Sequence, residues 1–164
     1  MNRNNLLVIS WLAAFVLANL LVKWIGATGL WFSSFFLIPF DFVCRCYFHE
    51  TWKGVHLLIR LLILTLVAGI ITFAINQDAL NVALASFCGF TFAQVGAGIF
   101  YQKNKEKSFL FKVNISDSIG IIFDSFVFQL VAFNQIDIYI TSGQIVIKVL
   151  GGLLWYLILF RKRK

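Results

Sequence analysis

Long apolar runs, each broken by a few polar or glycine residues, dominate this chain from end to end. Windows of about 18–20 residues are the length that crosses a bilayer as a helix. They predict six spans, at about 6–25, 30–49, 57–76, 80–101, 116–134 and 142–160. The break at Asn76, Gln77 and Asp78 is very short, so spans three and four should form a helical hairpin. The longest soluble stretch, Gln102 to Lys112, is too small to be a domain. The expected architecture is all-α: one integral membrane domain over residues 1–164, a polytopic six-transmembrane-helix bundle.

Composition supports that reading. The chain is 60% hydrophobic and 13% charged, with a mean hydropathy of +0.88, whereas soluble domains are nearer half apolar and a quarter charged. The first apolar run is too long for a signal-peptide core, and more spans follow it. The net charge of +7 does not point to nucleic acid, because no basic surface is interleaved with exposed aromatics. The excess instead sets orientation. With both termini cytoplasmic, the inner set is Arg3, Lys53, Lys103, Lys105, Lys107, Lys112 and Arg161 to Lys164, and the outer set is Lys23 alone. Ten against one is a strong positive-inside signal and places the chain as a multi-pass protein of the cell (inner) membrane. Arg60 lies in the first turn of span three and can snorkel to the inner surface. The three cysteines, Cys44, Cys46 and Cys88, fall inside apolar runs and read as small apolar residues, with no disulfide framework.

Four formal charges, Asp41, Arg45, Asp124 and Lys148, sit where only hydrocarbon is expected. A charge at mid-bilayer costs about 2.5–3.5 kcal/mol on insertion scales. It survives when paired or when facing an internal cavity, so a polar chamber at the centre of the bundle is expected. In span two, Asp41, Arg45 and His49 are four apart and share a helix face. Pro39, two residues before Asp41, frees a backbone carbonyl at a depth where broken helices mark transporter sites. The alternative is an Asp41–Arg45 ion pair that only holds the bundle together. In span five, Asp117-Ser118 recurs seven residues later as Asp124-Ser125, with Gln129 beyond, making a polar stripe. In span six, Gln144, Lys148, Gly151, Gly152 and Trp155 share one broad face. Lys148 either snorkels or pairs with Asp124 or Asp41. Span four carries Ala85, Gly89, Ala93 and Ala97 at a spacing of four, a ladder that lets another helix approach closely. Ser86 and Gln94 flank it, and Asn19 is a deep polar position in span one.

No catalytic motif holds. His49-Glu50 resembles the start of a zincin motif, but position 53 is lysine where the second histidine is needed. Nothing calls for a metal or a cofactor.

The pieces Ala18-Asn19-Leu20-Leu21-Val22, Asp41-x-x-x-Arg45, Ala83-x-Ala85-Ser86 leading to Gln94, Asp124-Ser125 followed by Ala132-Phe133, and Lys148 run in order through nearly the whole chain. In that order the chain resembles the queuosine precursor transporters, also called the vitamin uptake transporter family. The resemblance implies a six-span importer of deazaguanine-type bases, with Asp41, Arg45, Asp124 and Lys148 as its intramembrane charges. Asn19, Ser86, Gln94, Ser125 and Gln129 join them as expected substrate contacts. The chain departs from the family pattern at Ala97, Asn81 and Ile121, where an aspartate, a basic residue and an asparagine are expected. The chemistry fits a guanine-like base: a carboxylate accepts its N–H and exocyclic amine together, while Arg, Lys or Gln donates to the ring carbonyl. The expected partners are a small heterocyclic base and the lipid bilayer, with either a homodimer or a separate energising module. Two other readings stay open: a substrate-binding membrane subunit of an ATP-driven vitamin importer, and a non-transport membrane assembly protein.

Overall fold

The computed structural model of the chain describes residues 3–52, 56–104 and 106–160. Of the orienting cations, Lys53, Lys105, Arg161, Lys162, Arg163 and Lys164 lie outside the described residues. The described secondary structure is entirely helical: α1 (Arg3–Phe32), a π-helical turn (Ser33–Leu37), α2 (Ile38–Thr51), α3 (Leu57–Ile75), α4 (Leu80–Lys103), α5 (Phe109–Phe133) and α6 (Ile138–Phe160).

Among the described residues, five helical stretches are long and apolar enough to cross a membrane: Asn4–His49, Leu57–Ile75, Gln77–Lys103, Asn114–Phe133 and Ile138–Leu159. The first two expected spans, about 6–25 and 30–49, lie in one continuous helical stretch, Asn4–His49. Helix runs on from α1 through the π turn into α2, broken only at Ile25 and Gly26. Gly26 takes φ 55° and ψ −128°, a conformation open to glycine and costly for residues with a Cβ. There the chain folds back on itself. Ser33 Oγ donates to the Ala18 carbonyl at 3.3 Å, and Tyr47 OH to Asn4 Oδ1 at 3.0 Å. A straight helix would hold Ser33 about 22 Å from Ala18.

Polarity is inverted relative to a water-soluble bundle. Ile59, Ile63, Leu66 and Ile70 on α3, and Leu150, Leu153 and Leu157 on α6, face outward, while Asp41, Arg45 and Lys148 are each 3% exposed and Asp124 is 8%. Hydrocarbon solvates the first set and would not tolerate the second.

Two close approaches fix the centre of the bundle. The small-residue ladder of α4 receives α5, as the four-residue spacing predicts. A Cβ on Gly89 would lie 2.8 Å from Asp124 Oδ1 and 3.2 Å from its carbonyl oxygen, and one on Gly120 would lie 3.4 Å from the Ala97 methyl. The second approach is made by the proline. Pro39 has no N–H to offer the carbonyl four residues back, which belongs to Phe35, and the chain there widens into the π turn. Gly151 of α6 packs directly on that Phe35 carbonyl, and Trp155 Nε1 donates to the next one, Phe36 O, at 2.7 Å.

Candidate functional site

These approaches bring polar groups from separate helices to one level. Lys148 of α6 extends its ammonium to α5, donating to Asp124 Oδ2 at 2.8 Å and to Ser125 Oγ at 2.9 Å. Of the two partners weighed for Lys148, Asp124 is the one it meets. On α2, Arg45 Nη2 lies 3.2 Å from Asp41 Oδ2, one helical turn away. The guanidinium sits over the Phe42 ring at 3.7 Å and the Phe90 ring at 4.7 Å, distances at which cation–π attraction acts. Asn19 ties α1 to two neighbours: Ser86 Oγ donates to its Oδ1 at 2.5 Å, and its Nδ2 reaches Thr72 Oγ1 at 3.5 Å.

Asp41, Asp124, Lys148, Asn19 and Ser86 line one hollow, walled by Phe15, Phe90 and Phe128. Its free volume is ≈ 30 Å³, room for a water or two and no more. Three further lining residues were not singled out as contacts from the sequence: Ser33, Ser34 and Gln144. The serines are brought inward by the π turn, which leaves no trace in hydropathy. Gln144 had a signal, standing one turn before Lys148 on the same face, and its Oε1 is 3.5 Å from Lys148 Nζ.

Four expected contacts lie off the hollow. Arg45 stands behind Asp41, between the two phenylalanines. Ser125 stands behind Lys148. Gln94 lines a separate recess of ≈ 500 Å³ with His49 and Gln102. Ser86 and Gln94 are eight residues apart, about 12 Å along the axis, too far for both to touch so small a space. Gln129 belongs to another cavity, about 7.5 Å along α5 from Asp124 by the same arithmetic. His49, expected on the face of Asp41 and Arg45, has its ring 5.3 Å from that of Tyr101. Asp117, first member of the repeated Asp-Ser pair, accepts from Cys46 Sγ at 3.1 Å, away from the hollow.

Hydrogen bonding around the hollow is incomplete. Gln144 Nε2 has no partner among the described residues. The Trp11 indole is within reach of Asp41, yet neither its Nε1 nor Asp41 Oδ1 closes a bond of good geometry. Buried polar groups are nearly always paired, so an unused donor and an unused acceptor beside one chamber are what a bound polar molecule would complete. Among the described residues no group of His, Cys, Asp and Glu is placed to hold a metal ion.

The closeness of α4 to α5 makes a prediction. In Gly89→Val the added carbons collide with Asp124 at its side chain and backbone, turning the carboxylate away from Lys148 without altering any charge. Overpacking of this kind costs about 1–3 kcal/mol. A lowered unfolding temperature is expected, whereas Gly98→Val, where an added Cβ meets no atom within 4 Å, should be neutral.

No family model, curated protein or solved structure matches the chain, so what it does has to be argued from this geometry.

Proposed function

We propose that the chain is a membrane importer of small flat heterocyclic bases of the deazaguanine type, which bind between Asp41, Asp124, Gln144 and Lys148. The observation that carries this reading is the meeting of two carboxylates, an ammonium and a carboxamide from α2, α5 and α6 in one hollow between aromatic rings. A guanine-like edge offers two adjacent donors to a carboxylate and a carbonyl to Gln144 or Lys148. The rings supply faces on which a flat base stacks.

Ligand sites usually measure about 300–1,000 Å³, so the chamber must open to admit a base. The Lys148–Asp124 pair fills the space that would open. A base that takes over bonds from this pair lowers the cost of separating it, which links binding to a change of shape.

In this reading the bend at Ile25 and Gly26 makes two crossings of the first helical stretch, six in all. Both termini then lie in the cytoplasm with Lys103, Lys107 and Lys112. The packing directions agree: α6 runs parallel to the chain from the last turn of α1 into α2, with Gly143 against Trp31 and Gly151 against Pro39, and α5 runs antiparallel to α4.

Expression in cells unable to make the precursor should restore uptake of labelled cyano-deazaguanine, and the purified chain alone should take it up in proteoliposomes. Uptake in cells without uptake in proteoliposomes would make the chain the substrate-binding subunit of an ATP-driven importer. No uptake in either would remove the importer reading.

A further inference from the structure

We propose a second ligand site in the cavity at the Gly26 end of the bundle, a staging site where a flat heterocycle with a ring acceptor lodges before it reaches the central chamber. The proposal rests on the importer reading and deepens it. The cavity measures ≈ 220 Å³ against ≈ 30 Å³ for the central hollow, so it is the one of the two with room for a ligand in this conformation. The two share Val22 and Leu30 as walls. Phe128 packs with these residues in one apolar cluster and also lines the central hollow. A single apolar layer therefore separates the two spaces.

Gln129 gives the cavity its chemistry. It is 2% exposed, lines the cavity, and its Nε2 donates to no group among the described residues. Phe133, in the same wall, sets its ring edge-on to Phe128 with centroids 6.1 Å apart. An unused amide donor beside an aromatic ring suits a flat molecule with a carbonyl or ring nitrogen to accept the bond and a π-face to stack.

The unmet donors continue past the apolar layer. The Lys148–Asp124 contact sets the antiparallel register of α5 and α6, which puts Gln144 level with Gln129 and Thr141 one turn further out. Thr141 Oγ1 and Gln144 Nε2 are buried and also lack partners among the described residues. Unpartnered polar groups thus line the α5–α6 seam from the outer cavity to the hollow, where packing alone would favour leucine. The nearest carboxylate in the cavity wall, Asp137, is engaged: its Oδ1 accepts from the backbone N–H of Tyr139 and Ile140 and caps α6. The outer site offers its ligand no ammonium or guanidinium in the lining and binds it more weakly than the centre does.

Equilibrium binding of labelled cyano-deazaguanine to the purified full chain in lipid nanodiscs tests this. Wild type should bind in two phases. Asp124→Asn combined with Lys148→Met should lose the tight phase and keep the weak one. Gln129→Leu, which fills the same space without a polar group, should lose the weak phase and keep the tight one. Its KM for uptake should rise about tenfold, the worth of one good hydrogen bond, with little change in maximal rate. Phe133→Ala, at an exposed position, should weaken the same phase. A Gln129→Leu chain indistinguishable from wild type in binding and KM would assign the unmet donor to a bridging water and overturn the staging site while leaving the central one. Absence of any binding by wild type would overturn both.

Discussion

Asp124→Ala is expected to cost the bundle about 3–5 kcal/mol, the penalty for breaking a buried pair by deleting one partner. The reason lies in what remains. Lys148 is 3% exposed and its ammonium has Asp124 at 2.8 Å and Ser125 at 2.9 Å. Without the carboxylate, a full positive charge stays in an apolar interior with one hydroxyl and a distant Gln144 oxygen. Replacing both members, Asp124→Asn with Lys148→Met, removes the uncompensated charge and should recover most of the stability, because apolar substitutes for a buried pair are often neutral. Heating in detergent followed by size exclusion reads the stability, and uptake reads the function. The single variant should melt early, the double should melt near wild type, and neither should import. A single variant as stable as wild type would mean that Lys148 escapes to lipid headgroups, and the enclosed chamber would be lost from the account.

Arg45→Met should be nearly as severe, for a different pair. Asp41 would lose the only cation within 4 Å of it among the described residues and remain buried at 3% exposure. The cost is again about 3–5 kcal/mol. The informative companion is Arg45→Lys, which keeps the charge. A lysine has neither the planar guanidinium that lies over Phe42 and Phe90 nor its fork of donors. Loss of those faces should lower stability by about 0.5–2 kcal/mol, an intermediate melting temperature. Arg45→Met with Asp41→Asn should return toward wild type. Equal melting of Arg45→Lys and wild type would show that only the charge matters and that the phenylalanine faces contribute nothing.

How much of this could be read from the chain depends on whether one helix or several set the answer. Within one helix the sequence suffices. Asp41 and Arg45 are four apart, and their pairing follows from helical geometry. The ladder from Ala85 to Ala97 likewise announces a close neighbour, and α5 is that neighbour. Across helices the sequence narrowed the choice without making it: Lys148, deep in an apolar run, could snorkel or pair with Asp124 or Asp41, and the packing of α5 on α6 selects Asp124. What could not be read is rotation about each helix axis and the local breaks. Gln94 stands one turn past Phe90 and Gln129 one residue past Phe128, both of which wall the hollow, yet each lines another cavity. The boundary between the first two expected spans falls at about 26–29, but its form, a break within continuous helix, could not be read. A single left-handed glycine at position 26 makes it, and no run of polar residues marks the place. Ser33 and Ser34 enter the chamber through a π turn, which depends on Pro39 withholding a donor and on Gly151 and Trp155 arriving from the far end of the chain.

Binding of cyano-deazaguanine to the purified chain, wild type beside the stably folded Asp124→Asn, Lys148→Met double variant, tests the central claim most directly. Tight binding by wild type that disappears in the double variant at unchanged melting temperature is the predicted result. Equal tight binding by both would contradict it, because charges that can be removed without loss of the ligand are holding helices together and nothing more.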